Sequence, residues 1–315
     1  MKLFKMALIA LLALVSASCT QNKQNDIPQI TFGTMSSMDY LPLAVAQREG
    51  YFEKEGIKVD LQKFLSANDR DAAIQGGAVD GAITDYTSAA LVNAAGFDIK
   101  ITSKCQAPFY IIAGENSGIN TLNELKGKKV AVSQNTVIDF CVDMALKSVE
   151  MSASDIEKVE VNKIPLRLEM MRNNKIDATG LPNPFALIAQ NDGCKSLVLM
   201  EDLGYTVTGI VFSQKVIDEK GAETIKKFYR AYNEGANYLR THSVEDIKDI
   251  LTKDLGFPEP LLGQVQIPNY TSATAVQATD KDIVAVIEWL TEKNLINDSF
   301  DINKLVNTEL AKTEE

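Results

Sequence analysis

Histidine is almost missing from this chain: His242 is the only one among 315 residues, and a single tryptophan, Trp289, accompanies it. With no His/Cys/carboxylate cluster and no histidine in any candidate loop, Ser-His-Asp, Cys-His and zinc sites all lose their usual participant. Cysteine is equally scarce. Cys19, Cys105, Cys141 and Cys194 are widely separated and include no CxxC pair, so neither a disulfide framework nor a redox motif is present. Positive charge is also short: 32 basic side chains face 42 acidic ones for a net charge of −10. No basic stripe occurs, which argues against a nucleic-acid partner. Beyond the first residues, no apolar run approaches the length of a membrane span. These absences argue against zinc and thiol chemistry and leave catalysis a poor expectation; no metal or cofactor is expected.

The N-terminus is distinctive. Lys2 and Lys5 precede the ten-residue apolar run Met6 to Val15, then Ser16-Ala17-Ser18 and Cys19. This is a charged segment, a short apolar segment and a small-residue cleavage site, the pattern of an export signal. Cys19 makes it similar to a bacterial lipoprotein signal, although Ser16 stands where leucine is usual. The expectation is a signal over 1–18, lipidation at Cys19 and a polar tether over 19–27. Loss of Lys2 and Lys5 brings the net charge to −12.

The remaining chain alternates short apolar strands with helical periodicity, which predicts an α/β fold. Strands are expected at Gln29 to Thr34, Ile57 to Phe64, Gly81 to Thr84 and Ile99 to Lys104. Helices are expected at Leu41 to Glu49, from a Ser66–Asp69 capping box to Gln75, and at Ala89 to Ala95. From about Tyr110 the grammar repeats. Strands at Lys129 to Val132 and Val159 to Asn162 alternate with helices at Val137 to Ser148 and Leu166 to Asn173. The turn-strand segment Asn174 to Leu181 echoes Gly77 to Ile83, which implies two lobes of like construction. Tyr205 to Ser213 reads as a strand returning to the first lobe. Ala222 to His242, Val244 to Asp254 and Asp280 to Lys293 read as helices, with His242 a helix-terminal residue and Trp289 an anchor to the core.

The stretch Leu41-Pro42-Leu43-Ala44-Val45-Ala46-Gln47-Arg48-Glu49-Gly50-Tyr51-Phe52 resembles the NMT1/THI5-like family of ABC-transporter substrate-binding proteins, which includes nitrate, sulfonate, taurine and thiamine-pyrimidine types. Gln75 to Ala82 and Leu122 to Val132 are similar to it as well. The resemblance implies a type II periplasmic-binding fold, two α/β lobes joined by a hinge of two crossing strands. It assigns 28–110 and 208–310 to the first lobe and 111–207 to the second. It further implies an exported, lipid-anchored monomer at the outer face of the cytoplasmic membrane, with an ABC permease and an ATPase as partners. A thiamine-pyrimidine synthase-like enzyme is the disfavoured alternative, because the cysteine cluster and site histidine of that branch are missing.

Loops at the carboxyl ends of strands are where such sheets bind ligands. By position these supply Ser36, Ser37, Asp39, Tyr40, Asp85, Tyr86 and Thr87 from the first lobe. Gln134, Asn135, Thr136 and Asn183 come from the second, with Phe109 near the crossover. Asp39 either contacts ligand or caps the Leu41 helix, and Asp139 either contacts ligand or completes a capping box with Thr136. These loops hold acids and aromatics but no lysine or arginine. That composition suits an amino-bearing heterocycle such as a thiamine-precursor pyrimidine, and it weakens nitrate, sulfonate and taurine as the alternative ligands, although the Val137 and Ile138 amides remain available to an oxyanion.

Overall fold

A computed structural model describes residues 27–313; the signal, Cys19 and most of the tether lie outside these residues. The first sheet uses β1 (Gln29–Met35), β2 (Lys58–Phe64), β3 (Gly81–Asp85) and β4 (Ile99–Lys104), interleaved with α1 (Leu41–Arg48), α2 (Ala67–Gln75) and α3 (Tyr86–Ala94). The second uses β5 (Phe109–Ala113), β6 (Lys129–Val132), β7 (Glu157–Glu160), β8 (Ala178–Pro182) and β9 (Lys195–Leu199). Its helices are α4 (Val137–Lys147), α5 (Ile164–Arg172) and α6 (Phe185–Asn191). The chain then returns as β10 (Thr208–Ser213), followed by α7 (Gln214–Lys220), α8 (Ala222–Thr241) and α9 (Lys281–Glu292).

The strand orders are β2-β1-β3-β10-β4 and β7-β6-β8-β5-β9. In both sheets the first three positions are parallel and the fourth strand runs antiparallel to its two neighbours. The repeat read from Gly77 to Ile83 and Asn174 to Leu181 thus corresponds to β3 and β8, each the central strand of its sheet. The fourth strand of each sheet is the one that has just crossed over: β10 enters the first sheet and β5 the second. This is the two-lobed fold with two crossing connections. The crossings lie in 105–108 and 200–207, so a lobe boundary at 110/111 would cut through β5, which pairs entirely in the second sheet.

Local differences from expectation have identifiable causes. The helix expected from Ala89 begins at Tyr86 because the Asp85 side chain accepts from the Ser88 backbone N–H at 2.8 Å and caps it. The helix expected from Leu166 begins at Ile164, with Pro165 in its first turn, where a missing N–H costs nothing. The returning strand begins at Thr208, since 200–203 forms a 3₁₀ turn closed by Gly204 at φ 81°. Val244 to Asp254 is not one helix: a short 3₁₀ turn at Glu245–Ile247 is followed by a π-helical turn at Ile250–Leu255.

Three apolar cores hold the lobes, one of them packing α5 and α6 on the second sheet through Ile112, Leu168, Leu181 and Ala186. Phe32, Phe212 and Phe228 pack with ring centroids 4.8–5.6 Å apart beneath α1 and α8. Gly235 lets α8 and α1 approach closely, for a Cβ there would stand 2.1 Å from the Pro42 carbonyl oxygen. A second core runs continuously through α3 of the first lobe, α4 of the second and α9. Trp289 does anchor α9: its ring lies edge-on to Phe140 at 5.6 Å and its Nε1 donates to Asp143 Oδ2 at 2.9 Å. His242 follows α8, is exposed, stacks on Tyr238 and does not line the interlobe gap.

Candidate functional site

The carboxyl ends of both sheets face one another across a small cavity lined from both lobes. The lobes touch at its rim, where the Ile164 N–H donates to the Leu65 carbonyl at 3.4 Å. The two helices that follow β2 and β7 each point an arginine inward from their fourth position. Arg70 and Arg167 both line the cavity and are 3% and 1% exposed. Neither lies in a loop, so the expectation of a site without guanidinium groups is corrected here. Their positions were readable all the same. Ile164, Arg167, Leu168 and Met171 follow the i, i+3, i+4, i+7 rule of a buried helical stripe, and Ala67, Arg70 and Ile74 follow it on α2.

The two arginines differ in company. Arg70 meets Asp71 at 2.8 Å and Asp85 at 3.1 Å, so its charge is compensated. Arg167 donates through Nη1 to the carbonyls of Val161 and Asn162, at 2.9 and 3.3 Å. Among the described residues it forms no ion pair, and its buried Nε finds no acceptor. Burial lowers its pKa to about 10, partly offset by Glu160, so the guanidinium stays charged at neutral pH. A charged group held dry without a counter-ion is unfavourable unless a ligand supplies the charge. The first turn of α4 adds to this wall: Val137 and Ile138 line the cavity, and helix geometry leaves their N–H groups without intrahelical acceptors.

Asp39 faces the cavity from the first lobe, 2% exposed. It does not cap α1. Its Oδ1 accepts from the Gln106 and Ala107 N–H groups at 3.0 and 2.6 Å, which ties the loop after β1 to the crossing segment. Its Oδ2 is buried without a partner, and burial raises the carboxyl pKa to about 6 despite those N–H donors and the nearby Thr208 hydroxyl.

Of the other expected site residues, Ser37, Asp85, Phe109 and Thr136 line the cavity. Asp85, however, has both oxygens engaged, by the Ser88 N–H, the hydroxyls of Thr87 and Ser88, and Arg70. It therefore caps α3 and compensates Arg70 rather than offering a free acceptor. Tyr40 and Tyr86 are absent from the lining and belong to the cores; burial pushes the Tyr40 phenol up to about 12 and that of Tyr86 well above its ordinary value. Gln134 and Asn135 lie in an outer gap beside Asn68 and Gln75. The Gln134 N–H donates to Glu160 at 3.0 Å, and Asn135 takes the left-handed turn, φ 60°, that leads into α4. Asn183 turns away and accepts from the Leu187 N–H at 3.1 Å, leaving Pro182 on the wall. Thr136 donates to the Ser133 carbonyl instead of capping α4, so the expected box does not form. Asp139 accepts from the Asn135 N–H and pairs with Lys158 and Lys293. Thr84, Ser133, Asn162 and Thr208 also line the cavity.

Among the described residues no group of three or more His, Cys, Asp or Glu side chains could hold a metal ion, and no helix is long and apolar enough to cross a membrane. The chain is 27% identical over 258 residues to a putative aliphatic sulfonates-binding protein of Bacillus subtilis (strain 168), covering 78% of this chain and 77% of that one. Its fold is similar to that of the alkanesulfonate-binding protein SsuA from Xanthomonas axonopodis pv. citri bound to MOPS, with a TM-score of 0.78, 17% identity and coverage of 89% and 98% of the two chains. It is also similar to the periplasmic nitrate-binding protein NrtA from Synechocystis PCC 6803, with a TM-score of 0.75, 15% identity and coverage of 90% and 87%. These likenesses establish a periplasmic-binding-protein fold. Residues 37–245 match the model of the family described as NMT1/THI5 like, a span that includes both arginines and the whole second sheet, and the chain belongs to that family.

Proposed function

We propose that this chain is the substrate-binding component of an ABC importer and captures a small solute bearing an oxyanion, of the sulfonate or nitrate kind, between its lobes. The observation that carries this reading is Arg167, a buried guanidinium lining the cavity with no ion pair. An oxyanion accepting from Arg167 and from the first turn of α4 would satisfy donors that have no other partner, at the charge-assisted strength such contacts have. The sulfonate-binding and nitrate-binding relatives support the same class. Contacts from both lobes would bias an open-to-closed equilibrium toward the closed form that docks on the permease. Export and lipidation at Cys19 belong to this reading, with the tether keeping the protein near its transporter.

The decisive measurement is calorimetry with short alkanesulfonates and nitrate on wild type and Arg167→Leu. Binding by wild type and its loss in the variant are expected; equal binding by both would overturn the site. An amino-pyrimidine of the thiamine-precursor kind is the second reading, favoured by the unpartnered Asp39 Oδ2 and by Phe109 on the wall. It would prevail if such a pyrimidine bound while every sulfonate and nitrate failed. Catalysis has no support in the lining, and incubation with pyridoxal phosphate is expected to give no cofactor absorbance.

A further inference from the structure

Among the described residues, three side chains of the cavity wall carry a buried polar atom without a partner: Arg167 at Nε in the second lobe, and Thr84 at Oγ1 and Asp39 at Oδ2 in the first. An oxyanion offers only acceptors. The guanidinium and the hydroxyl can donate to it, but a carboxylate cannot, and an ionised Asp39 would add repulsion to an already unfavourable burial. The same carboxyl carrying a proton becomes a donor, and an O–H facing an anionic oxygen makes a short, strong hydrogen bond. We propose that this protein captures its oxyanion together with one proton, which passes from solvent to Asp39 Oδ2 and is donated from there to the bound anion. This rests on the oxyanion reading and deepens it, because Asp39 then makes occupancy of the site depend on pH.

The setting of Asp39 suits this role. Its Oδ1 accepts from the Gln106 and Ala107 N–H groups, which leaves Oδ2 as the oxygen that takes the proton. No cation nearby holds the carboxyl ionised. The ionisable groups that feel its charge are Cys105 on the first crossing, Glu201 on the second, Tyr86 at the start of α3, Tyr232 on α8, and Tyr270, none of them basic. Of the two guanidiniums in the cavity, Arg70 is committed to Asp71 and Asp85, and Arg167 to the Val161 and Asn162 carbonyls. Burial already raises the carboxyl to about 6, and an anion beside it raises it further. By linkage, affinity is flat below about pH 5, where Asp39 is protonated beforehand, and falls about tenfold per unit as pH rises above about 6.

The test uses methanesulfonate and nitrate, which stay ionised across this range, so that any titration belongs to the protein. Calorimetry at about pH 7.5 in buffers of different ionisation enthalpy counts protons, and wild type is expected to take up about one per anion bound. Its affinity should rise at least roughly tenfold from about pH 8 to about pH 6. Asp39→Asn keeps an acceptor for the Gln106 and Ala107 N–H groups but cannot titrate, so its affinity should be the same at both pH values, with no proton uptake. Glu201→Gln, which removes the other acid but no part of the cavity wall, should behave as wild type. Melting curves check that the variants fold, and the wild-type proton count decides the matter if they do not. Binding without proton uptake by wild type, uptake that persists in Asp39→Asn, or uptake lost in Glu201→Gln would overturn the proton link while leaving the oxyanion reading intact. Failure of both anions to bind at every pH would overturn both.

Discussion

Arg70 and Arg167 occupy the same place in two halves of like topology, yet they have opposite employment. Each is the fourth residue of the helix after its sheet's edge strand, and each is buried toward the gap. Arg70 has Asp71 and Asp85 within 3.1 Å; Arg167 has only backbone carbonyls. One half of the repeat has turned the position into scaffold, and the other has left it open to a guest. Two neighbours decide: Asp71 follows Arg70 where Leu168 follows Arg167, and β3 delivers Asp85 whereas β8 delivers Pro182, which brings no charge. Duplicated geometry therefore does not duplicate function.

The contrast can be broken in order of expected effect. Arg70→Leu should leave the Asp85 carboxylate buried without its cation and lower stability by about 3–5 kcal/mol. Denaturant unfolding measures this; a loss under about 1 kcal/mol would show that Arg70 is not the compensated partner. Arg167→Leu should do the reverse, leaving folding stability unchanged or raised while weakening an oxyanion by roughly 2–3 kcal/mol, about a hundredfold in Kd. Calorimetry beside a melting curve separates the two, and a variant that unfolds but binds normally once folded would refute the division of labour.

The acids supply the next test, since Asp85 is paired and Asp39 is not. Asp39 is raised from 3.8 to about 6, so the native state holds its proton more tightly than the unfolded chain. Its stabilising contribution is complete below about pH 4 and disappears as pH rises through about 6, a change on the order of 2–3 kcal/mol. Asp39→Asn should flatten that part of the ligand-free stability profile; an identical slope in wild type and variant would place the titration elsewhere. The smallest effect is expected outside the gap. Lys293 follows α9, which packs on first-lobe α3, and reaches Asp139 of second-lobe α4 at 2.7 Å. Lys293→Met removes a half-exposed strap to a carboxylate that Lys158 of the second lobe continues to pair, and should weaken ligand binding by under about 1 kcal/mol through a less favoured closed form. A change in affinity above tenfold would mean the strap governs closure.

How much was legible follows from the range of each signal. Strand and helix positions could be read because periodicity and turn residues act over a few neighbours, as at Gly50 after α1 and the Ser66 cap of α2. The two-sheet plan followed from the resemblance between the segments that became β3 and β8. The site was legible only as a set of loops. Ser37, Asp39, Phe109 and Thr136 do reach the cavity, but Tyr40, Tyr86, Gln134, Asn135 and Asn183 do not. A strand-end residue has several directions open to it, and packing selects one: the Asp85 cap moved the start of α3 back to Tyr86, which carried that ring into the core. The arginines fall outside any loop-based reading because they sit inside helices, although their place on a buried helical stripe marks them.

The amino-acid sequence by itself determined the α/β alternation, the doubled plan, the family and the scarcity of catalytic groups, because these depend on local pattern and on composition. Only the tertiary structure decided which charges are left without partners. Arg70 and Arg167 are chemically the same residue at the same helical position; the sequence itself places Asp71 beside Arg70, but the fully buried carboxylate, Asp85, is brought to it by strand order and capping. Compensation of a buried charge is a property of three-dimensional neighbours, and a linear pattern does not contain it.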